Sequence, residues 1–237
     1  MTGVLGDQVD NIANKFNATQ SDYKVVPEFK GGYPETMSAG IAAYRAGKAP
    51  HILQVFEIAT ATMIAEKKAT RPVYEIMTQA GEKFDPKAYM PAVASYYSDV
   101  RGRMLSLPFN SPTPVFFYNK DAFKQAGLDP DKPPETWDEV EHAALKLSDA
   151  GVACTFTTAW QSWVHLENMS AWHNQEFATK QNGFGGLDAK LTFNTQVIVR
   201  HISKLSSWVK ARLFTYAGRL NEPDAKFYGG DCAMFTG

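Results

Sequence analysis

Residues 23–57 read Tyr-Lys-Val-Val-Pro-Glu-Phe-Lys-Gly-Gly-Tyr-Pro-Glu-Thr-Met-Ser-Ala-Gly-Ile-Ala-Ala-Tyr-Arg-Ala-Gly-Lys-Ala-Pro-His-Ile-Leu-Gln-Val-Phe-Glu. Residues 23–29 carry a strand pattern ended by Gly31 and Gly32, and Pro34 then opens a helix. Met37, Ile41 and Tyr44 recur on one face of that helix, which Gly47 and Pro50 close. Residues 51–56 follow as a short apolar run fitting a buried strand. This is a β-α-β unit, the signature of an α/β fold. Ligands in such units lie outside the carboxyl ends of the strands, which is where Gly31, Gly32, Tyr33 and Glu57 fall.

Upstream, Leu5, Val9, Ile12 and Phe16 recur at helical spacing. Downstream, helices are expected over 59–67, 73–80 and 86–97, and a strand over 104–109. Pro112 and Pro114 interrupt the extended pattern, which resumes at 115–118. Prolines so placed do not sit inside a central strand, so 110–114 reads as a hinge crossing between a first lobe, 1–109, and a second, 115–237. In the second lobe, helix 119–126 precedes a proline-punctuated loop over 127–134. Thr136 and Glu139 form a Thr-x-x-Glu capping box for a helix through Leu147. A strand over 152–157, a tryptophan-rich helix over 161–173, a loop at 183–186, an extended stretch at 191–193, a helix over 197–209 and a last extended element at 232–235 complete the reading. No internal repeat or low-complexity tract is visible.

Charge and composition exclude whole classes. The 24 Lys+Arg and 25 Asp+Glu are scattered along the chain and leave a formal charge of -1. A protein that tracks nucleic-acid phosphates needs clustered basic excess, so a nucleic-acid partner is excluded. Hydrophobic residues are 44% and charged residues 21%, an ordinary globular balance. No window approaches the ~18 consecutive apolar residues of a membrane-spanning helix. The start, Met-Thr-Gly-Val-Leu-Gly-Asp, lacks the basic and apolar regions of a signal peptide, so the chain reads as cytosolic or as a trimmed segment. Cys154 and Cys232 are too few for a disulfide scaffold and lack metal-ligand spacing.

The stretch Tyr-Asn-Lys-Asp-Ala-Phe-Lys-Gln-Ala-Gly-Leu-Asp-Pro at 118–130, with Pro-Pro-Glu-Thr-Trp-Asp-Glu at 133–139, resembles the extracellular solute-binding proteins of bacterial ABC importers. Lys-Gly-Gly-Tyr at 30–33, Ser-Ala-Gly-Ile-Ala-Ala at 38–43, Gln-Val-Phe-Glu at 54–57, Trp-Gln-Ser-Trp at 160–163 and Gly-Asp-Cys-Ala-Met at 230–234 are similar to its glycerol-phosphate-binding branch. The resemblance runs nearly the whole chain. It implies a periplasmic-binding-protein-like fold, two α/β lobes joined by a hinge that close over a small-molecule ligand and then dock on a membrane permease. It implies a periplasmic location and no chemical step, and no cofactor is expected. It also implies that the chain is incomplete, because family members begin with a signal peptide and a first strand ahead of Met1 and continue well past Gly237.

The same resemblance selects the ligand residues: Tyr33, Glu57, Ser111, Trp160 and Trp163. By chemistry alone each has two readings. The Tyr33 phenol can donate to a phosphate or hydroxyl oxygen, or Tyr33 is a turn residue packed on a helix. Glu57 can accept from vicinal hydroxyls, or it is a first-turn acid favoured by the helix dipole. Trp160 and Trp163, three apart, share one face if helical and form an apolar wall with indole donors, or they pack the lobe. Pro112 stands where the glycerol-phosphate binders carry a second Ser; Ser111 is the hydroxyl left beside it. In a periplasmic protein Cys154 and Cys232, each on an expected strand, are a possible disulfide or a free buried pair.

Other function classes are weaker. An oligosaccharide or polyol binder of the same fold would use the same aromatic wall and carboxylate. A glycan-processing enzyme would need Glu57 paired with Asp99 or Glu167, and no recognised hydrolase, P-loop or zinc-protease motif is present. His165, Glu167 and His173, at i, i+2 and i+8, do not share a helical face, so a metal site is not expected. A chain that binds nothing and dimerises through exposed sheet edges is the third alternative.

Overall fold

The computed structural model describes residues 5–56, 59–65 and 68–237. The chain divides into two compact units, Met1–Pro108 and Phe109–Gly237.

In the first unit, α1 spans Gly6–Thr19 and α2 spans Tyr33–Arg45, with Gly32 as N-cap and Pro34 in the first turn. Pro34 suits that position because its missing N–H would have no helical partner there. Residues 53–56 run along α2. A Cβ on Gly40 would stand 2.7 Å from Leu53 Cδ2, so the helix meets this segment closely where it carries no side chain. The expected β-α-β unit is nevertheless not hydrogen-bonded as a sheet: neither 23–29 nor 51–56 forms a ladder among the described residues. Pro27 removes a donor from the first run. The Asn17 amide takes both backbone groups of Val25, accepting from its N–H at 2.7 Å and donating to its carbonyl at 2.8 Å. Both segments are extended but unladdered.

Helix α3 covers Thr60–Ala65, and residues 66 and 67 of the expected helix lie outside the described residues. Helix α4 spans Val73–Ala80 and stops at Gly81, which is left-handed at φ 71. The helix expected over 86–97 is split into a 3-10 turn at Pro86–Ala88 and α5 at Pro91–Tyr96. Pro91 is the cause, since it lacks the N–H a continuous helix requires. Residues 104–109, expected as a strand, form no ladder beyond an isolated bridge of Met104 with Ser98, and the first two cap α4: the carbonyls of Leu105 and Met104 accept from the N–H groups of Val73 and Tyr74 at 3.0 and 3.1 Å. Those N–H groups have no partner within the helix, which is why the extended run turns toward them.

The second unit is built on a three-stranded sheet in the order β1 (Phe116–Tyr118), β3 (Cys232–Thr236), β2 (Cys154–Thr158). Strand β1 is antiparallel to β3 and β2 is parallel to it. Between β1 and β2 lie α6 (Lys120–Gln125), capped by the Asn119 side chain, and α7 (Trp137–Asp149), whose Thr136–Glu139 capping box is formed. After β2 comes a π-helical turn, Trp163–Asn168, continued by α8 (Met169–Trp172). A tight turn, α9 (Thr179–Asn182), precedes the long α10 (Gln196–Lys210), and α11 (Asp224–Tyr228) leads into β3. The core joins Phe123, Val140, Leu147, Phe156, Trp208 and Met234, so α6, α7 and α10 cover the sheet. Cys154 and Cys232 are partners in the β2–β3 register and form a disulfide.

Candidate functional site

Tyr33 stands at the first turn of α2, immediately after two glycines. Gly31 is at φ 100, and the Glu35 side chain folds back over both: a Cβ on Gly31 would meet Glu35 Cβ at 2.9 Å, and one on Gly32 would meet its Oε2 at 2.8 Å. The ring of Tyr33 lies parallel to that of Phe56, centroids 5.4 Å apart with 7° between planes. The helix start and the end of the 53–56 segment therefore converge. Glu57 lies outside the described residues.

In the second unit, Ser111 is exposed in the irregular stretch ahead of β1. Trp160 and Trp163 both follow the end of β2, in an arrangement different from the expected one. Trp163 is the first residue of the π-helical turn, whereas Trp160 precedes the helix and is left-handed, φ 47. The two are not successive positions on one helical face, because the chain reverses at Trp160 before the helix begins. The Trp160 indole Nε1 donates to Asn221 Oδ1 at 3.2 Å, and its backbone N–H donates to the Leu220 carbonyl at 3.1 Å. Gln161 Nε2 bonds the carbonyls of Gly218, at 2.7 Å, and Thr158, at 3.1 Å. Residues 218–224 thus fasten the turn that carries the tryptophans. Composition gives some hint of this loop, since Gly218, Asn221 and Pro223 are turn formers, but nothing local links it to Trp160.

Behind the π turn lies a buried polar pair that periodicity leaves unplaced. His165 Nδ1 and His201 Nε2, the latter on α10, are 3.0 Å apart, and Trp137 packs against both rings. Burial first, and then His201, hold the His165 pKa down at about 3. Burial, His173 and Lys204 hold that of His201 at about 4. Thr236 Oγ1 lies 2.8 Å from Thr158 Oγ1 and 3.5 Å from His165 Nε2, which carries the network into the sheet. His165 and His201 are thus neutral core groups, and His173 turns its Nδ1 to the Met169 carbonyl at 3.0 Å. Asp99, considered above as a catalytic carboxylate, sits in a tight turn. Burial opposes its ionisation, but bonds from the Arg103 and Arg101 backbones and the Arg103 side chain hold its pKa below the usual range.

The model of the bacterial extracellular solute-binding protein family matches residues 2–235. The chain is 53% identical over 237 residues to the sn-glycerol-3-phosphate-binding periplasmic protein UgpB of Yersinia pestis bv. Antiqua (strain Antiqua), covering all of this chain and 54% of that protein. It is 52% identical, with the same coverage, to the protein of that name from Escherichia coli (strain K12). The chain spans about half the length of these relatives. Among solved structures, UgpB from Mycobacterium tuberculosis in complex with glycerophosphocholine superposes with a TM-score of 0.82 at 18% identity, covering 99% of this chain and 59% of that one. That likeness is one of fold.

Proposed function

Since this chain belongs to the family of bacterial extracellular solute-binding proteins, we propose that it is a binding component of an ABC import system that takes up sn-glycerol 3-phosphate or a glycerophosphodiester in the periplasm and delivers it to a membrane permease. The observation that carries the ligand class is the 53% identity to a glycerol-phosphate binder across all 237 residues. The chemistry of the candidate residues supports it. Tyr33 is a phenol at a glycine-rich helix start, a donor type suited to a phosphate or hydroxyl oxygen. Trp160 and Trp163 offer ring surface to a carbon backbone. Glu57 follows Phe56 and is the carboxylate assigned to the vicinal hydroxyls of glycerol, and Ser111 is the hydroxyl that remains beside Pro112. The activity is an equilibrium: ligand favours whichever conformation it binds more tightly, and no bond is made or broken.

Titration calorimetry of the 237-residue chain with sn-glycerol 3-phosphate, beside a Trp160→Ala/Trp163→Ala variant, tests the proposal. Saturable heat that disappears in the variant is expected. An absence of heat at millimolar ligand, or saturation by maltose in its place, overturns the ligand assignment.

A further inference from the structure

We infer that Asn221 and Asp224 are positioning residues that lock the indole of Trp160, so that Trp160 meets ligand with its ring face and not with its N–H; this rests on the ligand role proposed above. Three links run in series. Trp160 Nε1 donates to Asn221 Oδ1 at 3.2 Å, and Asn221 Nδ2 donates to Asp224 Oδ2 at 2.9 Å. Asp224 is the first residue of α11, which packs on the sheet through Phe227, stacked on Phe235 with centroids 5.5 Å apart. On the other side, Trp160 leaves β2 directly after Ala159, whose N–H donates to the Thr236 carbonyl at 2.9 Å. The indole is therefore held between two anchors on one sheet.

The backbone has been bent to make this arrangement. Trp160 and Leu220 are left-handed at φ 47 and 46, and Gly218 is at φ 128. A bulky side chain in that region is strained and persists where its surroundings over-determine it, commonly at ligand clamps. The bond from Trp160 to Asn221 is solvent-accessible, and such bonds add little to stability. A mainly structural purpose would not account for fixing a half-exposed indole this way. Orientation does: with its one polar hydrogen engaged, the indole presents aromatic surface, which suits C–H groups or a cationic substituent of the ligand.

The test combines two readouts on one variant series. In 15N-tryptophan-labelled protein without ligand, the Trp160 indole proton is assigned with Trp160→Phe and its hydrogen exchange is followed. Calorimetry with sn-glycerol 3-phosphate and glycerophosphocholine and a thermal melt accompany each variant. Asn221→Ala is expected to speed indole exchange and to weaken binding ~10-fold while the melt stays within a degree or two of the parent. Asn221→Asp sets two carboxylates side by side and loosens the lock. Asn221→Asp/Asp224→Asn keeps an acceptor toward Trp160 and restores the bond between positions 221 and 224 with the amide donor now at 224, and recovers both slow exchange and affinity. Unchanged indole exchange in Asn221→Ala overturns the lock. Fast exchange with parental affinity overturns its positioning role. If the parent itself takes up neither ligand, the functional reading fails separately, and indole exchange still decides whether the lock exists.

Discussion

His165 and His201 are buried at 2% and 5% exposure, face each other at 3.0 Å, and are kept neutral by that burial. Their folded pKa values, about 3 and about 4, lie below the ordinary 6.5, so between these limits the unfolded chain binds more protons than the folded one. Their contribution is therefore complete above pH 6.5 and is lost as pH falls toward 4. We expect the melting temperature of the protein to drop across that window, and His165→Asn/His201→Asn to flatten the drop, measured by melts from pH 7 to pH 4. The pair was not legible in the sequence, because the two residues are brought together by helices 36 positions apart. Gly218 is a second single-residue test. At φ 128, with an added Cβ 2.6 Å from the Glu222 Cβ, it holds a conformation that a side chain strains, and Gly218→Ala is expected to destabilise by about 1–3 kcal/mol in denaturant titration.

At the scale of single elements, local chemistry was readable where it closed on itself. Thr136 accepts from the Glu139 N–H at 3.2 Å while Glu139 Oε2 accepts from the Thr136 N–H at 3.0 Å. Thr136→Ala is expected to remove about 1 kcal/mol, visible as a lower midpoint with unchanged slope in urea. The elements that departed from expectation did so because something distant competed for their backbone. Residues 23–29 have apolar strand character, yet Pro27 and the Asn17 amide leave no continuous ladder edge. Residues 104–105 became the N-terminal cap of α4 because its first N–H groups needed acceptors. The π turn at Trp163–Asn168 follows normal helical periodicity in its residue types, so its extra residue per turn left no trace in the pattern. The same is true of Trp160, whose left-handed backbone moved it off the helical face on which spacing alone would place it.

For the whole molecule, the family and the α/β class were readable from motifs spread over most of the chain. The fastening of Trp160 by residues 218–224 was not, since it is a tertiary event. No helix among the described residues is long and apolar enough to cross a membrane. The disulfide between Cys154 and Cys232 is the one covalent statement about tertiary structure, with a sequence separation of 78. Constraining a loop of that size in the unfolded chain contributes about 2–4 kcal/mol. The Cys154→Ala/Cys232→Ala variant is expected to melt several degrees lower, and the parent in dithiothreitol to approach it.

That bridge also turns residues 154–232 into a covalent ring, within which lie the π turn, α10 and the segment fastening Trp160. Leu187, 89% exposed in a glycine-flanked loop, is inside the ring. A protease that severs the chain there opens the ring without releasing either piece. The nicked molecule would migrate as one species on a non-reducing gel and as two after reduction. Backbone continuity in this region is therefore dispensable for keeping the second unit's parts together as long as the bridge stays oxidised.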